Sequence, residues 1–447
     1  MITEDPAVTS RLRRRAATAT GIGNFMEWFD FAVYGFFATT FGELFFPSED
    51  PAVSLLSSLA VFGVAFFMRP VGGFVIGSVG DRKGRRAALM LTVVLMGAST
   101  ALIGVLPTYE QTGLLAPALL LVLRCCQGFS AGGEWTGSSA FLLEHAPRGR
   151  RGYFGSVISA TAAIATVAGS LVALALNSWL SPEALNTWGW RLPFLAAAPL
   201  ALIGLYIRLR LPETPVFVDL RQQQRVEGKP LITGTRKNAK SIALCFFFAS
   251  VQGLGFYYLA TFVVNYLSES VGMPRTTSLA LSGAGLLIYA LLCPLAGILS
   301  DRFGRRPVNV IGSAGHALLC FPAFMLMSSG SGPLVLLGIV VFSVSQALVS
   351  VTTVVLLTEL FPAATRGSGS AIGFNLGLAV IGGPGPFVAA AIAGASGYLP
   401  MPAIYMTAVA AAGFFVVLLW LPETAGRDLR ADDDVPLGRR ERAGAAL

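Results

Sequence analysis

The chain has 447 residues, of which 54% are hydrophobic and only 13% charged, and its mean hydropathy is +0.68. A soluble domain is about a quarter charged, so soluble globular and disordered classes are excluded. The net charge of +8 would suit nucleic acid, but its distribution gives it another meaning.

Apolar runs recur along the whole chain, each able to cross roughly 30 Å of hydrocarbon. Twelve spans are predicted, at 18–46, 54–79, 87–106, 115–143, 152–177, 190–210, 241–268, 277–299, 308–328, 333–358, 367–394 and 402–422. With the N-terminus inside, 28 of the 32 Lys and Arg residues fall in cytoplasmic tails and loops. That bias is the positive-inside rule, and it places both termini in the cytoplasm. The charge reports topology, and no nucleic-acid partner is expected. The Arg-rich start and the apolar run behind it form an uncleaved first helix, because the run is too long for a signal peptide and holds two acids. All five cysteines fall within spans, with neither zinc-ligand spacing nor a disulfide framework.

In the first span Asn24, Glu27, Asp30 and Tyr34 share one helical face. A charge at the bilayer centre costs about 2.5–3.5 kcal/mol on insertion scales. The stripe therefore reads as a proton or substrate site, with a structural ion pair as the alternative. The second span holds Arg69 beside Pro70, and the fourth holds Arg124, Gln127 and Glu134 with Ala131 and Ser138 on the same stripe. Counted by helical rise from the cytoplasmic ends, Glu27, Arg69 and Glu134 lie about 14–15 Å deep, Asp30 about 18 Å and Arg124 about 28 Å. Arg69 is thus the better structural partner, and an Asp30–Arg124 pair is the weaker expectation. Arg208 is counted with the cytoplasmic linker. The interior of the first half then holds three acids against two arginines, and the acid left over should load a proton.

The spans of the second half carry almost no charge. They offer Gln252, Tyr257, Tyr258, His316, Gln346 and Asn375, with His316 read as a packed histidine. A zwitterion suits this set. Its carboxylate would meet Arg124, and its ammonium would sit against Trp28, Tyr257 or Tyr258 as a cation–π contact. Tyr34, Gln127, Gln252 and Asn375 complete the expected substrate set. A dicarboxylate would want a second cation, for which Arg69 is the only candidate. In the eleventh span, IGGPGP (Ile381 to Pro386) predicts a break that serves as a hinge or is a simple kink.

The chain also repeats itself. GSVGDRKGRR (Gly77 to Arg86) matches GILSDRFGRR (Gly297 to Arg306) at six of ten positions. Glu144 with Arg151-Gly152 recurs as Glu359 with Arg366-Gly367, and LPET at Leu211 recurs at Leu421. Two parallel six-helix repeats follow. The expected division is a tail 1–17, a bundle 18–211, a linker 212–240, a bundle 241–422 and a polar, disordered tail 423–447.

The D-R-x-G-R-R loops are similar to the signature of the major facilitator superfamily. EWFDF with VYGFF, FMRPVGG, RCCQGFSAGGEWTG, GWRLPF and the second LPET resemble its metabolite:proton symporters. FGELFFPS, SDRFGRRP and MPAIYM narrow the likeness to members that carry proline and betaine, where paired tyrosines recur at the place of Tyr257 and Tyr258. The resemblance implies an all-α fold of twelve spans in two pseudo-symmetric bundles. It also implies a gate in which Asp81 and Asp301 meet helix N-termini while Arg82, Arg85, Arg86, Arg302, Arg305 and Arg306 serve Glu144 and Glu359. No heptads follow the last span, so regulation through a coiled-coil tail is not carried over.

The resulting expectation is a proton-coupled symporter of a small zwitterionic osmolyte in the inner membrane, monomeric, with no covalent chemistry, cofactor or metal. Glu27, Asp30 and Glu134 are the proton-coupling candidates, and Na⁺ in place of H⁺ stays open. The alternatives are a proton symporter of carboxylic acids (dicarboxylate, 2-oxoglutarate, shikimate or aromatic acid) and a membrane sensor without flux.

Overall fold

A computed structural model describes residues 6–223, 235 and 238–430. The described residues form helices and connecting turns, without strands. Among them, eleven helices are long and apolar enough to cross a membrane. The first helix, α1 (Pro6–Phe36), makes the twelfth. At 31 residues it exceeds what a bilayer needs, and Asn24, Glu27 and Asp30 lower its apolarity. It begins inside the expected tail and stops at Phe37, and a short helix, Ala38–Phe45, completes the span.

The chain divides into two compact units. One runs to His145 and resumes from Val157 to the linker; the other comprises Ala146–Ser156 and the chain beyond the linker.

In the first unit follow α2 (Pro51–Lys83), α3 (Arg85–Gly104), α4 (Leu115–His145), α5 (Arg151–Trp179), whose first residues belong to the second unit, and α6 (Arg191–Leu209). Helices α2 and α4 meet along a seam of small residues. A Cβ on Gly72 would stand 1.8 Å from the Phe129 carbonyl oxygen, one on Gly128 2.1 Å from that of Ala65, and one on Gly132 2.0 Å from that of Arg69. Such backbone contact is how small-x-x-x-small helices associate in lipid. It accounts for the glycines of RCCQGFSAGG and brings Arg69 beside α4. At the far end Trp190, from GWRLPF, is fully buried among Phe41, Phe45 and Phe194. Arg191 lies over the Trp190 ring and donates to the carbonyls of Gly104 and Leu106.

The second unit contains α7 (Ala239–Tyr257), α8 (Arg275–Phe303), α9 (Arg305–Met327), α10 (Gly332–Glu359), α11 (Arg366–Gly377) and α12 (Ala403–Trp420). Helix α7 continues through two π turns, Tyr258–Phe262 and Tyr266–Ser270. Helix α11 passes through a π turn at Leu378–Gly382 before resuming as Gly385–Ser396, so IGGPGP does break its span. Past α12, Leu421 to Arg430 is docked, with Thr424 and Leu429 buried. This corrects the expectation of disorder for that stretch; the rest of the tail lies outside the described residues.

Candidate functional site

Three ion pairs climb the inner face of α1 in the first unit. Arg208 Nη2 approaches Glu134 Oε1 at 2.6 Å, one turn below Glu27. A Cβ on Gly23 would lie 2.0 Å from Arg208 Nη2 and 2.4 Å from Glu134 Oε1, so a side chain there would have to displace this pair from α1. Above it, Arg69 Nη1 lies 2.9 Å from Glu27 Oε1, as expected. Above that, Arg124 Nη1 lies 2.9 Å from Asp30 Oδ2, and Gln127 Nε2 donates to Asp30 Oδ1 at 2.8 Å and to Thr100 Oγ1. All six charged side chains are buried.

This geometry overturns the charge count made from the sequence. Arg208 belongs to the membrane cluster, so three acids face three arginines and no acid is left over by number. The Asp30–Arg124 pair, the weaker expectation, is formed. Depth reckoning from Thr18 and Leu143 took those two residues to share one level, whereas the packed helices bring Asp30 and Arg124 level with each other.

The pairing leaves specific atoms over. Among the described residues Glu27 Oε2, Arg69 Nε and Nη2, and Arg124 Nε and Nη2 are buried with no hydrogen-bond partner. Arg124 also sits in an aromatic box, its Cζ 3.8 Å from the centre of the Tyr34 ring and about 5.5 Å from those of Phe31 and Phe62. The Tyr34 hydroxyl donates to the Ser58 carbonyl. Trp28 packs edge-on against Trp135, 6.0 Å between centroids.

In the second unit, Gln346 joins the polar side chains. Its Nε2 donates to the Gln252 carbonyl at 2.8 Å, and its Oε1 lies 3.0 Å from His316 Nε2. Because that amide oxygen only accepts, His316 Nε2 carries the hydrogen. His316 is the packed histidine expected, its ring edge-on to Phe342. Gln252 Oε1 has no partner among the described residues. Asn375 is buried, its amide donating to the Ala371 carbonyl. Tyr257 packs against Phe256. The Tyr258 hydroxyl donates to the Pro402 carbonyl at 2.9 Å, and its ring lies among Phe262, Phe324 and Phe342.

The D-R-x-G-R-R loops form two copies of one clasp. In the first unit Arg85 binds Asp81 and, through Nε, Glu144 Oε1 at 3.5 Å. In the second Arg305 binds Asp301 at 2.8 Å and Glu359 at 3.2 Å. The glutamate of each LPET, a residue with no role assigned from sequence, accepts from the first backbone N–H groups of the helix that follows the D-R-x-G-R-R turn of its own half. Glu213 takes those of Arg85 and Arg86, and Glu423 those of Arg305 and Arg306. Helix N-termini favour a negative charge there. Arg86 returns the contact to the carbonyls of Arg208 and Leu209, and Arg306 to that of Leu418. Gly84 and Gly304 have φ of 104° and 100°, and a Cβ on either would strike the capping carboxylate. Burial pushes the Glu213 carboxyl above the usual range, against the N–H groups of Thr214 and Arg86.

Asp301 also accepts from the backbone N–H groups of Gly152 and Tyr153 in the first turn of α5, as the resemblance implies. Glu359 further receives Arg151, at 3.0 Å, and Thr424. Arg82 and Arg302 stand exposed, so neither serves Glu144 or Glu359 here; they are surface charges at the ends of α2 and α8.

Apolar spans with paired charges buried inside them, and the same clasp repeated in each unit, are the architecture of a membrane carrier. The profile of the Major Facilitator Superfamily matches residues 20–384 and 245–442, and the chain belongs to that superfamily. It is 39% identical over 426 residues to the glycine betaine/proline/ectoine/pipecolic acid transporter OusA of Dickeya dadantii, covering 93% of this chain and 85% of the relative. It is 37% identical, with the same coverage, to the proline/betaine transporter of Escherichia coli K12. The proton:xylose symporter XylE bound to 6-bromo-6-deoxy-D-glucose shares the fold, with a TM-score of 0.81 at 19% identity over 94% of this chain and 98% of its own.

Proposed function

We propose that the chain is a proton-coupled symporter of a small zwitterionic solute of the proline and glycine betaine kind, working by alternating access. It moves its solute without making or breaking a covalent bond. The observation that carries this reading is Arg124. One guanidinium nitrogen is held by Asp30 and Gln127, while Nε and Nη2 have no partner among the described residues and lie beneath the Tyr34 ring. Two adjacent free donors match a carboxylate bidentately, and the aromatic rings around them suit an ammonium. Asp30, on the same guanidinium, exchanges its proton as the solute binds and leaves. The names of the relatives support the solute class.

The chain acts as a monomer in the bacterial inner membrane, with both termini cytoplasmic, as its basic loops favour. The test is uptake by purified protein in liposomes. Labelled proline or glycine betaine accumulates under an imposed pH gradient and is not competed by 2-oxoglutarate or shikimate. Accumulation driven by a Na⁺ gradient alone would replace the coupling ion, and competition by the acids would replace the solute class.

A further inference from the structure

Tyr34 lies in the last turn of α1 and is fully buried. Its hydroxyl donates to the Ser58 carbonyl of α2 at 3.2 Å. Its ring stacks on Phe41 of the short helix Ala38–Phe45, 4.5 Å between centroids and 17° between planes. Phe41 packs in turn edge-on against Trp190 and Phe194. A second near-parallel ring, Phe62 of α2, lies 5.7 Å from that of Tyr34. A tether at the hydroxyl and rings from two other helices thus fix the plane of the Tyr34 ring.

Arg124 rests on that plane. Its Cζ is 3.8 Å from the Tyr34 ring centre, against 5.4 Å for Phe62 and 5.5 Å for Phe31. At that distance no nitrogen fits between Cζ and the ring, so the guanidinium lies flat on it. A planar guanidinium directs its five N–H bonds sideways, within its own plane. Asp30 alone would invite a grip by two of the nitrogens. Instead only Nη1 meets Asp30 Oδ2, and Gln127 takes Oδ1. The opposite edge, Nε with Nη2, keeps its donors without a partner among the described residues.

We propose that Tyr34 is a positioning residue for transport, acting on the solute through Arg124 by holding the plane of the fork that binds the carboxylate. The inference rests on the reading of Arg124 given above. An arginine stem has rotamers to lose, and a fork fixed before the solute arrives loses less on binding. The tyrosine hydroxyl serves the same end: it anchors the ring to the α2 backbone and so ties the fork on α4 to two neighbouring helices.

The test uses the full chain in liposomes and compares KM and kcat for labelled proline and labelled glycine betaine. The proteins are wild type, Tyr34→Leu, Tyr34→Phe, Arg124→Lys, and Tyr34→Leu combined with Arg124→Lys. Positioning predicts that Tyr34→Leu raises KM about ten-fold or more, with kcat near wild type. The factor should be the same for both solutes, which share the carboxylate and differ at the ammonium. Tyr34→Phe keeps the ring and loses only its tether, and should raise KM about two- to ten-fold. In the Arg124→Lys background there is no fork to orient, so Tyr34→Leu should add no more than about two-fold. An unchanged KM in Tyr34→Leu, a loss that differs between the two solutes, or full additivity with Arg124→Lys overturns the proposal. Should Tyr34→Leu fail to fold, Tyr34→Phe decides: an equal rise in KM for both solutes upholds the proposal, and any other result overturns it. Arg124→Lys with the wild-type KM would instead remove the carboxylate reading beneath.

Discussion

Arg208 Nη2 lies 2.6 Å from Glu134 Oε1, so the last span of the first repeat neutralises an acid on the fourth. Removing one partner of a buried pair costs about 3–5 kcal/mol, because the other charge is left uncompensated. Arg208→Met should lower the melting temperature of the detergent-solubilised protein sharply, and Arg208→Met with Glu134→Gln should recover most of the loss. A double variant no more stable than the single one would mean that the pair is not the unit of stability.

Arg124 offers a sharper functional test. Lysine keeps the charge but loses the planar fork. Hydrogen bonds to charged groups are worth about 1.5–3 kcal/mol, so Arg124→Lys should raise the KM for the solute about ten-fold or more. An unchanged KM would move the carboxylate site elsewhere.

The α2–α4 seam makes a mechanical prediction. Gly132 faces the Arg69 backbone carbonyl, which cannot swing aside as a side chain can. Gly132→Leu should destabilise by at least the roughly 1–3 kcal/mol of ordinary overpacking and separate Arg69 from Glu27. Retained stability and uptake would show that the seam can yield.

Glu213 lies outside the spans, and its pH dependence has a definite sign. Burial raises its carboxyl above the ordinary 4.5, so the folded state holds this proton more tightly than the unfolded chain. The stability it contributes is therefore full below 4.5 and declines as the pH rises through the folded value. Thermal melts of wild type and Glu213→Gln should diverge across that interval, with the wild type falling relative to the variant. Parallel curves would exclude the linkage.

Much of this was legible in the residues. The spans follow from apolar runs, the repeats from two D-R-x-G-R-R loops, and the Glu27–Arg69 pair from matched depth. Arg208 was not legible. A lone arginine at the cytoplasmic end of a span is indistinguishable from a positive-inside anchor, and only packing shows that its long arm reaches inward to Glu134. For Tyr258, sequence gives depth along α7, while the ring's neighbours, Phe324 and Phe342, come from helices far away in the chain. The capping role of Glu213 and Glu423 had a signal, the repeated LPET, but its partners lie far away in the chain, so the motif could be counted and not explained.

Each clasp fastens the closing helix of a six-helix repeat to that repeat's own third helix. The first half is closed in this way by its own residues, whereas the second also draws on Arg151, Gly152 and Tyr153 of the first for Glu359 and Asp301. Of two polypeptides severed between Gln223 and Asn238, the N-terminal one should therefore mature alone, and the C-terminal one should need its sibling present.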